Sequence, residues 1–549
     1  MTLASTRRTA FALAAALALA LGACSSAPPG PAASAPRLVV FIAIDGLPQR
    51  QVLAYRDQLA PDGFARFLDR GAWFSQAHYG HAYTVTAAGH ATMLTGAYPQ
   101  RTGIIGNDWR DRDSGETLYC TGDTAHAYLG SPTKKLDGTS PANLRAETVG
   151  DVLRRADPRA RVIGISGKDR GAILPAGKAG TAYMYMQSTG RFASSTYYMA
   201  AHPAWVEAFN AARPADRYLG QAWTPLLPEA AYARSLPDGQ PWYAGNGRLP
   251  MAMGQGQAQP DAAFYGALLR SPFVDRMSLD FARAAIAGER LGQDEVPDIL
   301  SISLSGHDYV NHAFSAESRL SHDHFLQLDR LLEAFFHDLD RDIGRDRYVV
   351  VLTADHGFMP APEYSAAQGR DAGRLDSRKL LDSVNAGLRQ RFGVEKLAKF
   401  FSASALVLDR SLVAARGLDF DAVADEARAL LLAYPGTAVA YTRRELASGS
   451  RAGAPLFDAM RRSWNAERSG DVQLALKPYW MSSSNPAGTT HGSPYEYDTH
   501  VPILMWGPPW VRPGEVKERV EVTGIAPTLA RWLGVAAPAQ AEGRALPLP

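Results

Sequence analysis

The stretch "RLVVFIAIDG", residues 37–46, is an unbroken apolar run closed by an aspartate and a glycine. A strand with one wet face alternates apolar and polar residues, whereas a strand covered on both faces does not. Residues 37–45 therefore read as a strand buried between layers of helices. Three further runs have the same character: "ARVIGIS" (160–166), "PDILSISL" (297–304) and "DRYVVVLTAD" (346–355). Helical patterns lie between them, at 146–156 and at 324–339. The second places Phe325, Leu328, Leu331, Leu332, Phe335 and Phe336 on one face. Strands alternating with helices predict an α/β fold, a doubly wound, mostly parallel sheet flanked by helices. Ligands of such sheets sit beyond the C-terminal strand ends. Asp45 and Asp355 both fall there.

The chain of 549 residues is 46% hydrophobic and carries a net charge of +2, which fits a globular protein and excludes a strongly basic nucleic-acid binder. Arg7 and Arg8 precede the apolar run "AFALAAALALALGAC", residues 10–24. A positive start, a short apolar run and a small-residue end read as an export signal over 1–23. Its end, Leu21-Gly22-Ala23-Cys24, resembles the lipobox of bacterial lipoproteins, which implies a lipid on Cys24 and a membrane-anchored periplasmic protein. Ser25 and Ser26 favour the outer membrane. Only Cys120 then remains, so no internal disulfide is expected. Residues 24–36, rich in Ser, Ala and Pro, read as a tether. The core is expected over 37–181, 263–362 and 481–549. Residues 182–262 and 363–480 break the strand–helix rhythm and read as inserted caps. Trp205, Trp223, Trp242 and Tyr243 lie in the first, either as cap core or as a surface for stacking a base.

Four segments bring Asp and His together. "HDYVNH" separates Asp308 and His312 by one helical turn, so both share a face. "TADHG" sets Asp355 and His356 directly after a strand. "GTTHG" holds His491, and Asp45 closes the first strand. Oxygen and imidazole donors without thiolates suit zinc in an open, catalytic site. A fifth segment, "SHDHF", carries His322, Asp323 and His324 and reads instead as a solvated helix start. His78, His81 and His90 read as packing or hydrogen-bonding partners. "GKDRG" places Lys168 and Arg170 just past a strand end, where two cations can clamp a phosphoryl group. Thr84 and Thr86, in "HAYTVTAAGH", sit where an extended stretch turns into a helix, and either hydroxyl is a candidate nucleophile.

Taken together, "AIDG", "YTVTAAGHATMLTG", "GIIGNDW", "GKDRGAI", "DYVNHAF", "TADHG" and "GTTHGSPYEYDTHVPILMWG" resemble the alkaline phosphatase superfamily. The likeness is to its bacterial alkaline phosphatases with a threonine nucleophile and a Lys/Arg pair. It spans nearly the whole mature chain and implies an alkaline-phosphatase-like fold with cap insertions. It implies two zinc ions, one on Asp45, Asp355, His356 and Thr86, the other on Asp308, His312 and His491. It implies Thr86 as nucleophile, four residues before His90, and Asn107, Lys168 and Arg170 as phosphate ligands. Thr86 would gain from the helix N-terminus, whose free N–H groups favour an anion. The expected substrates are phosphate monoesters, handled by a monomer through a phosphothreonine. Alternatives are a phosphodiesterase or nucleotide pyrophosphatase of the same superfamily, or a non-catalytic phosphate- or metal-binding lipoprotein. A sulfatase would need a C/S-x-P-x-R block, and "TVTAAGH" lacks it. Asn311 and Ser315 stand where relatives commonly have glycine.

Overall fold

The computed structural model describes residues 34–549; the export segment, Cys24 and most of the tether lie outside the described residues. A nine-stranded sheet runs through the core. Its strands are β1 (Leu38–Ile44), β2 (Ala72–Phe74), β3 (Val162–Ser166), β4 (Thr181–Met186), β5 (Arg191–Ala193), β6 (Asp298–Leu304), β7 (Tyr348–Thr353), β8 (Ile503–Trp506) and β9 (Gly514–Val516), in the order β9-β2-β8-β7-β1-β6-β3-β4-β5. The middle five, β7-β1-β6-β3-β4, are parallel. β8 and β5 pair antiparallel at the flanks. The four strands expected from sequence are thus neighbours at the sheet centre, and β1, β6 and β7 are buried at every residue. All carboxyl ends of the parallel strands point the same way, and that edge carries the site.

The helix expected at 146–156 spans Val149–Ala156, because Thr148 forms a capping box with Asp151 and so fixes the start. β4 and β5 extend the central sheet beyond residue 182, where the sequence pattern suggested an insertion. The segment 363–480, read from sequence as an inserted cap, carries a sheet of its own. Strands Ala398–Ser402, Ala405–Leu408, Val472–Leu476 and Thr437–Thr442 form a separate antiparallel sheet. Helices Ser377–Phe392 and Phe420–Ala433 share a core with it, built on Leu380, Val384, Leu406, Val423, Leu431 and Val472.

The expectation for "SHDHF" is overturned. His322, Asp323 and His324 are fully buried inside a helix that begins earlier than the pattern suggested, Arg319–Asp342. The cap segment covers them. Asp323 accepts hydrogen bonds from Trp223 Nε1 (2.7 Å), the Leu226 N–H (2.6 Å) and the Tyr232 hydroxyl. His322 bonds Ser235 and Gln58 and stacks on Tyr55. These residues fasten the cap to the core rather than meet water. Trp223 is therefore cap core, as is Trp205, which packs against Tyr183 and Phe281. Asp323→Asn turns an amide donor toward groups that themselves donate, and is expected to cost about 2–4 kcal/mol in chemical denaturation. A loss below ~0.5 kcal/mol would contradict this fastening role.

Candidate active site

The site is assembled from residues far apart in sequence, each set by the end of a strand or helix. Asp45 follows β1. Gly46 adopts a left-handed φ of 72°, and a Cβ there would lie 3.1 Å from Asp308 Oδ1. This turn lets β1 meet the helix Gly306–Phe314, here α2, at close range. Asn311 on α2 donates to the Gly46 carbonyl at 3.1 Å, so its larger side chain ties the two segments together. Ser315 closes α2 at a φ of 75°, a conformation that explains why glycine suits the position.

Asp45, Asp355 and His356 form one trio, and Asp308, His312 and His491 a second; within each, the donor atoms all lie within 4.8 Å of one another. The first trio is fully buried; in the second Asp308 is buried, whereas His312 and His491 are partly exposed. All six sequence-predicted ligands are therefore brought together in the expected groups. The imidazoles share one device. His312 Nδ1 donates to the Thr489 carbonyl (2.8 Å), His491 Nδ1 to the Thr84 carbonyl (2.9 Å) and His356 Nδ1 to the Gly357 carbonyl (2.9 Å). A carbonyl only accepts, so Nδ1 holds the proton and Nε2 keeps a free lone pair. Nε2 of His312 and of His491 lies 3.4 and 3.6 Å from Asp308 Oδ1, and Nε2 of His356 lies 3.3 Å from Asp355 Oδ2.

Asp45 Oδ1, Asp308 Oδ1, Asp355 Oδ2 and His356 Nε2 are buried without a hydrogen-bond partner among the described residues. Lone pairs converging in this way fit a cation. Charge agrees: three buried carboxylates face one ammonium. Burial, reinforced by Asp355, pushes the Asp45 carboxyl well above the usual carboxylate range. Burial also opposes the charge on Asp308, but its cationic surroundings, with the Lys168 ammonium 2.5 Å away, outweigh it and hold that carboxyl low. Burial lowers His491 and His312, keeping the imidazoles in the neutral form that binds metal.

Lys168 occupies a place that the sequence did not reveal. Its Nζ lies 2.7 Å from Asp45 Oδ2 and 2.5 Å from Asp308 Oδ2, joining one carboxylate of each trio. Burial disfavours its charge, yet Asp308 and Asp45 more than compensate and hold it protonated. Arg170 donates to the Tyr119 hydroxyl at 3.1 Å, and Tyr119 in turn donates to Asp169 at 2.6 Å. Tyr119 is thus an orienting residue that no motif signalled.

The two threonines part company here. Thr86 is the first residue of helix Thr86–Thr95, here α1. Val85 at the N-cap has no side chain that can cap the helix, and the Ala87 N–H donates to Asn107 Oδ1 at 2.9 Å. That bond fixes the Asn107 amide with its NH2 free to donate elsewhere. His90 Nδ1 donates to the Thr86 carbonyl (2.9 Å) and lies 3.3 Å from Asp355 Oδ2, so the helix start is joined to the first trio. Gly89 allows this approach, since a Cβ there would meet the Asp355 carbonyl at 2.1 Å. Thr84 instead donates its hydroxyl to the Ser493 carbonyl at 2.8 Å, and its own carbonyl orients His491.

Comparison with known proteins agrees with this geometry. Residues 39–500 match the family model described as type I phosphodiesterase / nucleotide pyrophosphatase. The chain is 33% identical to alkaline phosphatase PafA of Elizabethkingia meningoseptica over 93% of each chain. It is 35% identical to a protein of Myroides odoratus named calcium-transporting ATPase, over 92% of each. The crystal structure of wild-type alkaline phosphatase PafA superposes with a TM-score of 0.88 at 32% identity, covering 94% of this chain and 99% of that one. The chain belongs to the type I phosphodiesterase / nucleotide pyrophosphatase family, within the alkaline phosphatase superfamily.

Proposed function

We propose that the protein is an alkaline phosphatase that cleaves phosphate monoesters by passing the phosphoryl group to Thr86 and then to water. The observation that carries this reading is the pair of Asp/His trios, joined by Lys168 and tied to the helix start that bears Thr86. Asp45, Asp355, His356 and Thr86 would hold one zinc ion, and Asp308, His312 and His491 the other. Bound there, two such ions supply Lewis acidity to the entering and leaving oxygens.

The chain's own groups do the rest. Thr86 presents its hydroxyl at the N-terminal end of α1, where exposed N–H groups favour an oxyanion. Asn107 offers its free NH2 to a non-bridging oxygen. Lys168 and Arg170 bring two positive charges, matched to the extra ionised oxygen that a monoester has and a diester lacks. The terminal phosphoryl of a nucleoside triphosphate ends in the same dianion, so the name of the Myroides odoratus relative describes chemistry open to this site. Among the described residues no helix is long and apolar enough to cross a membrane. In our reading the enzyme is exported, anchored through Cys24 at the periplasmic side of the outer membrane, and works as a monomer.

The family model also names diesterases, so substrate preference needs a direct test. Lys168→Ala and Arg170→Ala are each expected to lower kcat/KM on a chromogenic monoester by roughly 10²–10³-fold, and on the matching diester by less than about tenfold. Equal losses on both esters would show that these cations do not select the monoester.

A further inference from the structure

Outside the two trios, a third cluster of metal-binding side chains lies where the segment leading to Thr86 meets the segment following His491. His78 and His500 face each other across an antiparallel bridge. The Tyr79 N–H donates to the Thr499 carbonyl (2.9 Å) and the Val501 N–H to the Ala77 carbonyl (3.1 Å), one residue to either side. This is the close, non-hydrogen-bonded type of cross-strand pair, in which side chains approach most nearly. The imidazoles lie 4.4 Å apart, nearly parallel at 18°. Glu496 stands one turn before His500, its carboxylate 3.7 Å from His500 Nδ1. Donor atoms of the three residues lie within 4.8 Å of one another.

We propose that His78, His500 and Glu496 form an accessory site for a divalent metal of the imidazole-binding class, zinc above all, separate from the catalytic trios. His500 Nε2 donates to the Ser75 carbonyl at 2.9 Å, which protonates that nitrogen and leaves Nδ1 as the ligand atom, on the side of Glu496. Both rings stay neutral near pH 7. Burial, together with His500 and Arg519, lowers His78 to about 3, and burial lowers His500 as well. Bonds of about 2.05 Å in a tetrahedral site set ligand atoms roughly 3.3 Å apart. Small side-chain rotations therefore suffice, and water can complete the coordination beside the exposed Glu496.

The position gives the site a role. The strand Ala77–His78 leads into Thr84 and Thr86, while the segment ending at His500 begins at His491. The His500 carbonyl also accepts from the Gln49 N–H at 3.1 Å, four residues after Asp45. A metal ion here clamps together chain segments that carry the nucleophile and both trios. Its effect is on stability rather than on the chemical step.

The test is a calorimetric titration of metal-stripped full-length protein with zinc alone, run on wild type, His500→Gln and Glu496→Gln. Wild type is expected to take up one equivalent more than His500→Gln. Glu496→Gln is expected to bind that equivalent about tenfold more weakly. The count is a difference, so it holds however many ions the trios bind. Excess zinc should also raise the melting temperature of wild type by more than it raises that of His500→Gln, each compared with its own metal-free value. Equal stoichiometry and affinity in wild type and a folded His500→Gln would overturn the proposal. If His500→Gln does not fold, an unchanged zinc affinity in Glu496→Gln, whose side chain is exposed, would overturn it as well.

Discussion

Thr86→Ala is expected to lower kcat/KM on a chromogenic phosphate monoester by roughly 10⁴-fold or more, with the melting temperature of the metal-free protein nearly unchanged. The size of the effect follows from the role: without its hydroxyl the chain has no acceptor for the phosphoryl group at the start of α1. The fold keeps what it needs. The bond from His90 goes to the Thr86 carbonyl, which alanine retains, and alanine suits a helix. Thr84→Ala supplies the contrast. Its hydroxyl is already spent on Ser493, and the carbonyl that orients His491 survives the change. A loss of no more than about tenfold is expected there, from loosened positioning. If Thr84→Ala were the inactive variant and Thr86→Ala the active one, the nucleophile would be misassigned.

The second large effect concerns Asp355. Its Oδ1 accepts from the Gly46 and His356 N–H groups, at 3.0 and 3.1 Å, while Oδ2 faces His356 Nε2. Asp355→Asn keeps a carbonyl oxygen for the two N–H groups and replaces the inward lone pairs with an NH2. The fold should survive, and the first trio should lose its cation. The expected result is one equivalent less zinc by elemental analysis and a fall in kcat/KM of at least ~10³-fold. Chelation of wild type should abolish turnover, and added zinc should restore it. A variant that retained full zinc and activity would refute the assignment of this trio as a metal centre.

The fold was legible where physics is local. β1, β6 and β7 are covered on both faces, and their sequences say so by failing to alternate. Asp45 and Asp355 were legible because they end such strands, and Asp308 with His312 because one helical turn separates them. What could not be read depends on partners distant in the chain. Lys168 looked like a cation at a strand end, and its bond to Asp308 spans 140 residues. His322–His324 looked like a solvated helix start because the residues that bury them, Trp223 and Tyr232 among them, come from a segment about 90–100 residues earlier. The sheet inside 363–480 was hidden by short strands with half-exposed faces, such as Ala398–Ser402. For the threonines the sequence alone left two candidates. The resemblance chose Thr86, and the engaged hydroxyl of Thr84 supplies a separate physical reason.

The central claim is that this site selects phosphate monoesters. The measurement that tests it most directly is kcat/KM of the zinc-loaded protein on a chromogenic phosphate monoester and on its matching diester, under the same alkaline conditions. The account predicts faster turnover of the monoester by at least ~100-fold, since the two cations Lys168 and Arg170 meet a charge that the diester lacks. Equal turnover, or faster turnover of the diester, would contradict it.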